Sequence, residues 1–372
     1  MAKYLDENQA IEKIKEGQCV ALPTETVYGL ACDALNESAV RNMFSVKGRP
    51  PENPVICHVS SPAMAFQYGR RSDLAERLME KYWPGPLTIL LEHEGKIPGV
   101  VTAGSDLCGF RMPDHAITLA IIERCGVPLA IPSANKSGKT SPTTPGMVLA
   151  QLEGVIPGVV DGGQCGVGLE STVVQILEDK VKILRPGIID EARLRADGFQ
   201  VMHEQEGENG DVLSVPNAKA SAEKEENAKS RPSGNSTAVL SPEAPLHSPG
   251  LLPVHYQPEV DLFLVQSELL GELSPGFPHA SYETIAVLNL SSEPLKLSDI
   301  LPRRLCETAV LRNRTDQQDA SRNLYLDLYE LSRNCDALMV IAGNRCSEVM
   351  LDRLQRAATG IYRQGKWQFR RS

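Results

Sequence analysis

Over roughly the first two hundred residues, short apolar runs alternate with amphipathic stretches. Ile11 and Ile14 lie three apart among polar residues. Asp6 stands where an N-cap belongs and Gly17 where a helix would stop, so residues 6–16 are expected to form a helix. Cys19-Val20-Ala21-Leu22 is a continuous apolar run stopped by Pro23, which predicts a buried strand. The same reasoning predicts helices over 37–46, 73–82 and 117–125. It predicts strands over 55–59, 87–91 and 129–131, and a closing hairpin from 172–177 and 181–184. Trp83-Pro84-Gly85-Pro86 breaks the third helix. This alternation predicts an α/β domain built on a mixed sheet.

The pattern lapses between about residues 204 and 247, where Glu, Lys, Ser, Asn and Pro dominate. Such a segment buries too little apolar surface to offset its ordering entropy and is expected to be disordered. Order is expected to return with SPGLLPVHYQP, residues 248–258. Strands over 261–265, 284–290 and 337–342 then alternate with helices over 319–332 and 347–358. Leu324, Leu328 and Leu331 share a face of the first of these helices, and Gly360 is expected to cap the second. This predicts a smaller, Rossmann-like three-layer α/β domain. The expected division is therefore a first domain over 5–202, a linker over 203–258 whose last part (248–258) forms a lid, and a C-terminal domain over 259–372.

Charge and composition narrow the function. The net charge of −9 argues against a protein that grips nucleic acid by bulk electrostatics. Much of it lies in residues 203–230, with seven acids against three lysines. The N-terminal segment carries no apolar run of secretory type, and no stretch approaches the ~18 apolar residues that would span a bilayer. The nine cysteines are scattered and form no CxxC, so reduced thiols in a cytoplasmic protein are expected rather than a zinc site or dithiol.

The candidate chemistry begins with IPSANKSGKTS, residues 131–141. Its Gly138-Lys139-Thr140 ending resembles a Walker A loop, but the first glycine of that loop would be residue 133, which is Ser133. Pro142 and Pro145 also delay the next helix, so a Walker loop is not expected. Lys47-Gly48-Arg49 places two cations on one side if the segment is extended, which would suit a triphosphate; a solvated surface turn is the alternative. In PTETVYGL, residues 23–30, hydroxyls follow a strand, where open α/β sheets place ligands. The same residues could simply cap a turn. Arg111 and Arg185 each sit at a strand end beside a proline. His58 interrupts an apolar strand, either as a core histidine or as a ligand-binding group. Gly162-Gly163 and Gly166-Val167-Gly168 lead into Glu170-Ser171-Thr172.

PTETVYGL, KGRP with NP and a histidine after it, WPGPLT, VTAG followed by RMP, PSAN, DGG, ESTVV and LRPG occur in that order. Together they resemble the YrdC-type domain family, the catalytic module of threonylcarbamoyl-AMP synthases. SPGLLPVHYQP and the DASRNLYLDLYEL and DRLQRAATG stretches resemble the linker and C-terminal domain of the longer, two-domain form. The resemblance implies a YrdC-like mixed twisted sheet with flanking helices. It implies synthesis of L-threonylcarbamoyl-AMP from L-threonine, bicarbonate or CO2, and ATP, with Mg²⁺ accompanying the nucleotide and pyrophosphate released. A separate transferase complex would then carry the group to tRNA, with a transient tRNA contact by this protein as a further expectation.

By position, the resemblance implies a signature of Lys47, Arg49, Ser133 and Asn135. Arg49, Asn53, Ser133, Ser141, Arg185 and Tyr256 would face ATP, and Thr26, His58, Arg111 and Ser171 would face threonine. No protein ligand to a metal is expected. The Gly138-Lys139-Thr140 ending would be incidental. The linker departs from relatives, since Leu252-Pro253-Val254 replaces residues that are usually basic. Two other readings compete. Carbamoyl transfer of the hydrogenase-maturation kind would call for zinc fingers and an acylphosphatase-like domain that the sequence does not contain. An RNA-binding protein using the same basic cavity would call for interleaved aromatic and basic residues.

Overall fold

The computed structural model describes residues 4–202, 255–272, 282–301, 303–343, 346–363 and 366–370. The segment expected to be disordered, and the lid residues before His255, lie outside the described residues.

Among the described residues, ten strands form the first sheet. Their order is Tyr4–Leu5, Val159–Val160, Val20–Leu22, Gly29–Asp33, Leu129–Ala130, Cys57–His58, Leu107–Arg111, Leu87–Glu92, Thr172–Leu177 and Lys180–Arg185. Parallel and antiparallel pairings both occur. Strand alternation sends neighbouring side chains to opposite layers. Val20, Leu22 and Ala31 pack with Ile11, Ile14, Ile121 and Ile122 on one face. Ala21, Leu30 and Cys32 pack with Met43, Phe44, Leu78 and Met79 on the other. Each fully buried Leu or Ile of this kind contributes about 1.5–3 kcal/mol.

The helices form where capping and periodicity agree. Asp6 and Gln9 make a reciprocal capping box ahead of the Glu7–Lys15 helix. Asn36 accepts from Ala39 N at the start of the Glu37–Lys47 helix. That helix buries Val40, Met43, Phe44 and Lys47, so the lysine occupies the next position of an apolar stripe. Gly48 then ends it with φ of 62°. This corrects the extended Lys47-Gly48-Arg49 segment: Lys47 is the last helical residue. The 55–59 strand is also shorter than expected, since only Cys57–His58 pairs.

The second sheet runs Val310–Asn313, Ile285–Leu290, Ala337–Ala342, Asp261–Gln266, Gly360–Arg363, Lys366–Phe369. All its pairings are parallel except the last. Leu262, Leu264, Leu338 and Val340 meet the Gln317–Ser332 and Glu348–Ala357 helices on one face. Phe263, Val265, Met339 and Ile341 pack under Leu301 and Leu305 on the other, completing three layers. Gly360 does not cap a helix: Ala358 holds that position and Gly360 opens an edge strand.

The two units meet where the 164–170 loop lies on the Gln317–Ser332 helix. Gln164 Nε2 donates to Asn323 Oδ1 at 2.9 Å. Gly168 has φ of 78°, and a Cβ there would stand 2.2 Å from Arg322 O. Gly168→Ala is therefore expected to cost about 1–3 kcal/mol through backbone strain and forced separation of loop and helix. Scanning calorimetry should show a lower midpoint than wild type; an unchanged midpoint would contradict this packing.

Candidate active site

One edge of the first sheet gathers the functional side chains. Cys57–His58, Leu107–Arg111 and Lys180–Arg185 end there and Thr172–Leu177 begins there, while Thr26 and Ser133 come in on the loops before Gly29–Asp33 and after Leu129–Ala130. Cys57–His58 and Leu107–Arg111 run parallel with His58 opposite Arg111. A register shift between Ile183 and Arg185 re-aims the arginine as its strand leaves the sheet. A cavity with about 60 Å³ of water-accessible volume opens here.

Thr26, Arg49, His58, Arg111, Ser133, Ser171, Arg185 and Tyr256 line that cavity. Thr26 Oγ1 accepts from Arg111 Nη2 at 2.9 Å. Glu25 pairs with the same guanidinium, N to O, at 2.6 Å. Ser171 Oγ shares a hydrogen bond with Thr88 Oγ1 at 2.8 Å and accepts from Arg185 Nη2 at 3.0 Å. Arg185 also donates to Ser171 O through Nε at 3.1 Å and Nη2 at 2.9 Å. The residue expected to face an amino acid and the residue expected to face a nucleotide are thus in direct contact.

Lys47, Asn53, Asn135 and Ser141 stand behind this wall. Lys47 Nζ donates to the carbonyls of Ser133 and of Asn135, the latter at 2.5 Å. It fastens the 133–135 loop to the Glu37–Lys47 helix. Asn135 Nδ2 in turn donates to Lys136 O and Lys139 O, both at 2.8 Å. Arg49 donates to Asn53 O at 3.1 Å and Pro54 O at 2.6 Å, and no acidic side chain pairs with it among the described residues. Ser141 Oγ donates to Glu170 Oε1 at 2.8 Å. Asn53 Oδ1 and Nδ2, Asn135 Oδ1, Arg111 Nε and His255 Nδ1 are buried without a hydrogen-bond partner among the described residues. Such groups are rare in interiors and concentrate at binding sites.

Burial shapes the protonation of these groups. It holds Lys47 well below its ordinary range, with the Arg49 charge adding to the effect. Burial and then Arg185 lower Arg49. Burial and then Arg111 hold His58 far below its ordinary value, so its ring is neutral near pH 7. Burial acts to raise Glu170, but Arg353, Arg185 and the Ser141 hydroxyl outweigh it and keep the carboxyl below its ordinary range. Among the described residues, no group of three or more His, Cys, Asp or Glu could hold a metal ion, and no helix is long and apolar enough to cross a membrane.

Sequence reasoning missed some of the site. Glu170 and His255 line the cavity beside Ser171 and Tyr256, next to residues singled out but not themselves assigned. Lys47 carried a legible signal as a lysine in an apolar stripe. Gly138-Lys139-Thr140 has a structural use outside any Walker turn: Gln257 N donates to Gly138 O at 2.9 Å and Thr140 Oγ1 to Tyr256 O at 3.2 Å. That loop holds Tyr256 over the cavity with φ of 65°, a strained value for a bulky residue.

Residues 12–187 match the Sua5–YciO–YrdC family, described as telomere recombination, and residues 210–359 match the threonylcarbamoyl-AMP synthase C-terminal domain. The chain is 43% identical over 190 residues to threonylcarbamoyl-AMP synthase of Bacillus subtilis, covering 50% of this chain and 55% of that one. It is 37% identical over 178 residues to a putative threonylcarbamoyl-AMP synthase of Methanocaldococcus jannaschii, covering 48% of this chain and 84% of that one. The chain spans about half the length of the longer curated relatives it matches. The crystal structure of Pyrococcus abyssi Sua5 complexed with L-threonine superposes with a TM-score of 0.72 at 28% identity, covering 96% of both chains.

His255 offers a test of the electrostatics. Burial, followed by the opposing pull of Glu170 and the repulsion of Arg49, Lys47 and Arg353, lowers its pKa from 6.5 to about 3. Below 6.5 the unfolded chain takes up a proton that the folded chain refuses. The stability linked to neutral His255 is therefore complete above 6.5 and is lost as pH falls towards 3. At about pH 5 the loss is about 2 kcal/mol. The unfolding midpoint of wild type should fall more steeply between about pH 7 and 5 than that of His255→Asn; parallel curves would refute the assignment.

Proposed function

The chain belongs to the threonylcarbamoyl-AMP synthase family, and on that premise we propose that it condenses L-threonine, bicarbonate or CO2, and ATP into L-threonylcarbamoyl-AMP with release of pyrophosphate. The observation that carries this reading is the union of two chemistries in one cavity. Arg49 and Arg185 supply cations for phosphates, while Thr26, His58, Arg111 and Ser171 supply hydroxyls, an imidazole and a guanidinium for a small zwitterion. The Ser171–Arg185 contact joins the two halves. Buried polar atoms without partners among the described residues support the same reading.

In this mechanism Arg111 holds the threonine carboxylate through paired donors. Thr26 and Ser171 read the substrate hydroxyl. The neutral amine forms a bond to the carbon of CO2 and loses a proton, giving a carbamate. A carbamate oxygen then attacks the α-phosphorus in line, and the bond to pyrophosphate breaks. Arg49 and Arg185 stabilise charge on the phosphoryl oxygens, and Lys47 keeps the 133–135 loop in register. His58 is neutral and buried, which suits it to hydrogen-bond the substrate or to accept the amine proton. Mg²⁺ accompanying ATP would be held by the phosphates rather than by protein ligands and would supply neutralisation of the pyrophosphate charge. On this reading the protein is a cytoplasmic nucleotidyltransferase. Its product passes to a separate transferase complex that modifies tRNA, with which the protein makes at most a transient contact.

Purified protein should release pyrophosphate from ATP only when threonine and bicarbonate are both present. Valine, isosteric but lacking the hydroxyl, should react slower by about a hundredfold or more, since the polar groups that read the hydroxyl would be left unpaired. Arg49→Ala should lower turnover by about a hundredfold or more. Pyrophosphate release indifferent to the amino acid would sink the proposal.

A further inference from the structure

Glu170 is the one carboxylate among the described residues lining the cavity. Its position is paradoxical for a nucleotide site, because a buried negative charge opposes phosphates through a medium that screens poorly. The charge is met from outside the first domain. Glu170 Oε2 accepts from Tyr325 OH at 2.9 Å and from Arg353 Nε at 3.1 Å, while Oε1 accepts from Ser141. Tyr325 lies on the Gln317–Ser332 helix and Arg353 on the Glu348–Ala357 helix, both in the second domain. Arg353 is 1% exposed although charged. Its Nη2 donates to Pro186 O at 2.9 Å, one residue beyond Arg185, and Nη1 meets Asp352. Its guanidinium lies 5.2 Å from the centre of the Tyr256 ring, which stacks on Tyr325 at 5.5 Å.

We propose that Arg353 and Tyr325 are positioning residues for the nucleotide half of the site: the second domain neutralises and fixes Glu170, so that this carboxylate orients Ser141 without repelling the phosphates. Without the second domain Glu170 would keep only the Ser141 hydrogen bond and the Arg185 charge to offset it. The inference deepens the proposed function and rests on it. A plain tie between domains would act differently: it would lower stability without discriminating between the two substrates. The Gln164–Asn323 hydrogen bond is such a tie, at the same interface but outside the Glu170 cluster.

The test compares wild type with Arg353→Met, Glu170→Gln, their combination, and Gln164→Ala. The readouts are KM for ATP and for threonine in pyrophosphate release, and calorimetric binding of a non-hydrolysable ATP analogue. Arg353→Met should raise KM for ATP and weaken the analogue by about tenfold or more, because it strands a buried charge. KM for threonine should move by less than about threefold. Adding Glu170→Gln to Arg353→Met should restore both ATP readouts to within about threefold of wild type, since no stranded charge remains. Gln164→Ala should change neither KM. Should Arg353→Met fail to fold, Tyr325→Phe keeps the ring stack and should raise KM for ATP by about threefold. Unchanged ATP readouts in Arg353→Met, no rescue in the combination, or equal effects on both substrates would each overturn the inference. Wild type that neither binds the analogue nor releases pyrophosphate would instead remove the function it rests on.

Discussion

Lys47, Arg111 and Arg185 are all but withdrawn from water; Arg111 and Arg185 line one cavity with Arg49, and Lys47 stands behind its wall. Bringing such charges together costs desolvation and mutual repulsion, and the surrounding structure can be read as the response. Carbonyls of Ser133 and Asn135 receive Lys47, and those of Asn53 and Pro54 receive Arg49. Glu25 faces Arg111, and Ser171 receives Arg185. Each partner is a backbone group or a residue whose own place depends on neighbouring loops. The cations therefore organise the loops as much as the loops organise them.

This arrangement explains why the 131–141 loop does without the glycine turn of a Walker motif. Its shape comes from pairing: Leu30 N donates to Pro132 O and Ala134 N to Tyr28 O, both at 2.8 Å. Gly29 permits that approach, since a Cβ there would overlap Ile131 Cγ2. The far end of the same loop pairs with residues 256–257, so one segment connects the cation cluster to the ring of Tyr256. That ring is fixed in turn by Tyr325 and Arg353 of the second domain. The cavity is thus built by both domains, although nearly all of its lining comes from the first.

The helices and strands with strong periodicity were legible because their signals are local. The Asp73–Tyr82 helix and the Ala337–Ala342 strand fall where apolar spacing and flanking residues place them. Shorter pieces such as Val159–Val160 and Gly29–Asp33 were not, since two to five residues carry too little pattern and exist only through their sheet partners. Gly360 shows how a local rule misleads: a glycine after a helix suggests a cap, but here close packing against Phe263 and Phe369 selects it for a strand. Within the site, Thr26, Arg49, His58, Arg111, Ser133, Ser171, Arg185 and Tyr256 were readable as motif residues. Their contacts were not readable.

From the chain alone came the division into two α/β units, the absence of a Walker turn, and the family likeness with its candidate residues. These depend on composition and on short-range spacing, which survive without coordinates. Only the tertiary structure decided that Lys47 binds a loop, that Ser171 touches Arg185, and that Arg353 reaches Glu170 across 183 positions of sequence. Interactions at that separation depend on how whole layers dock, and no local pattern encodes which buried charge will meet which.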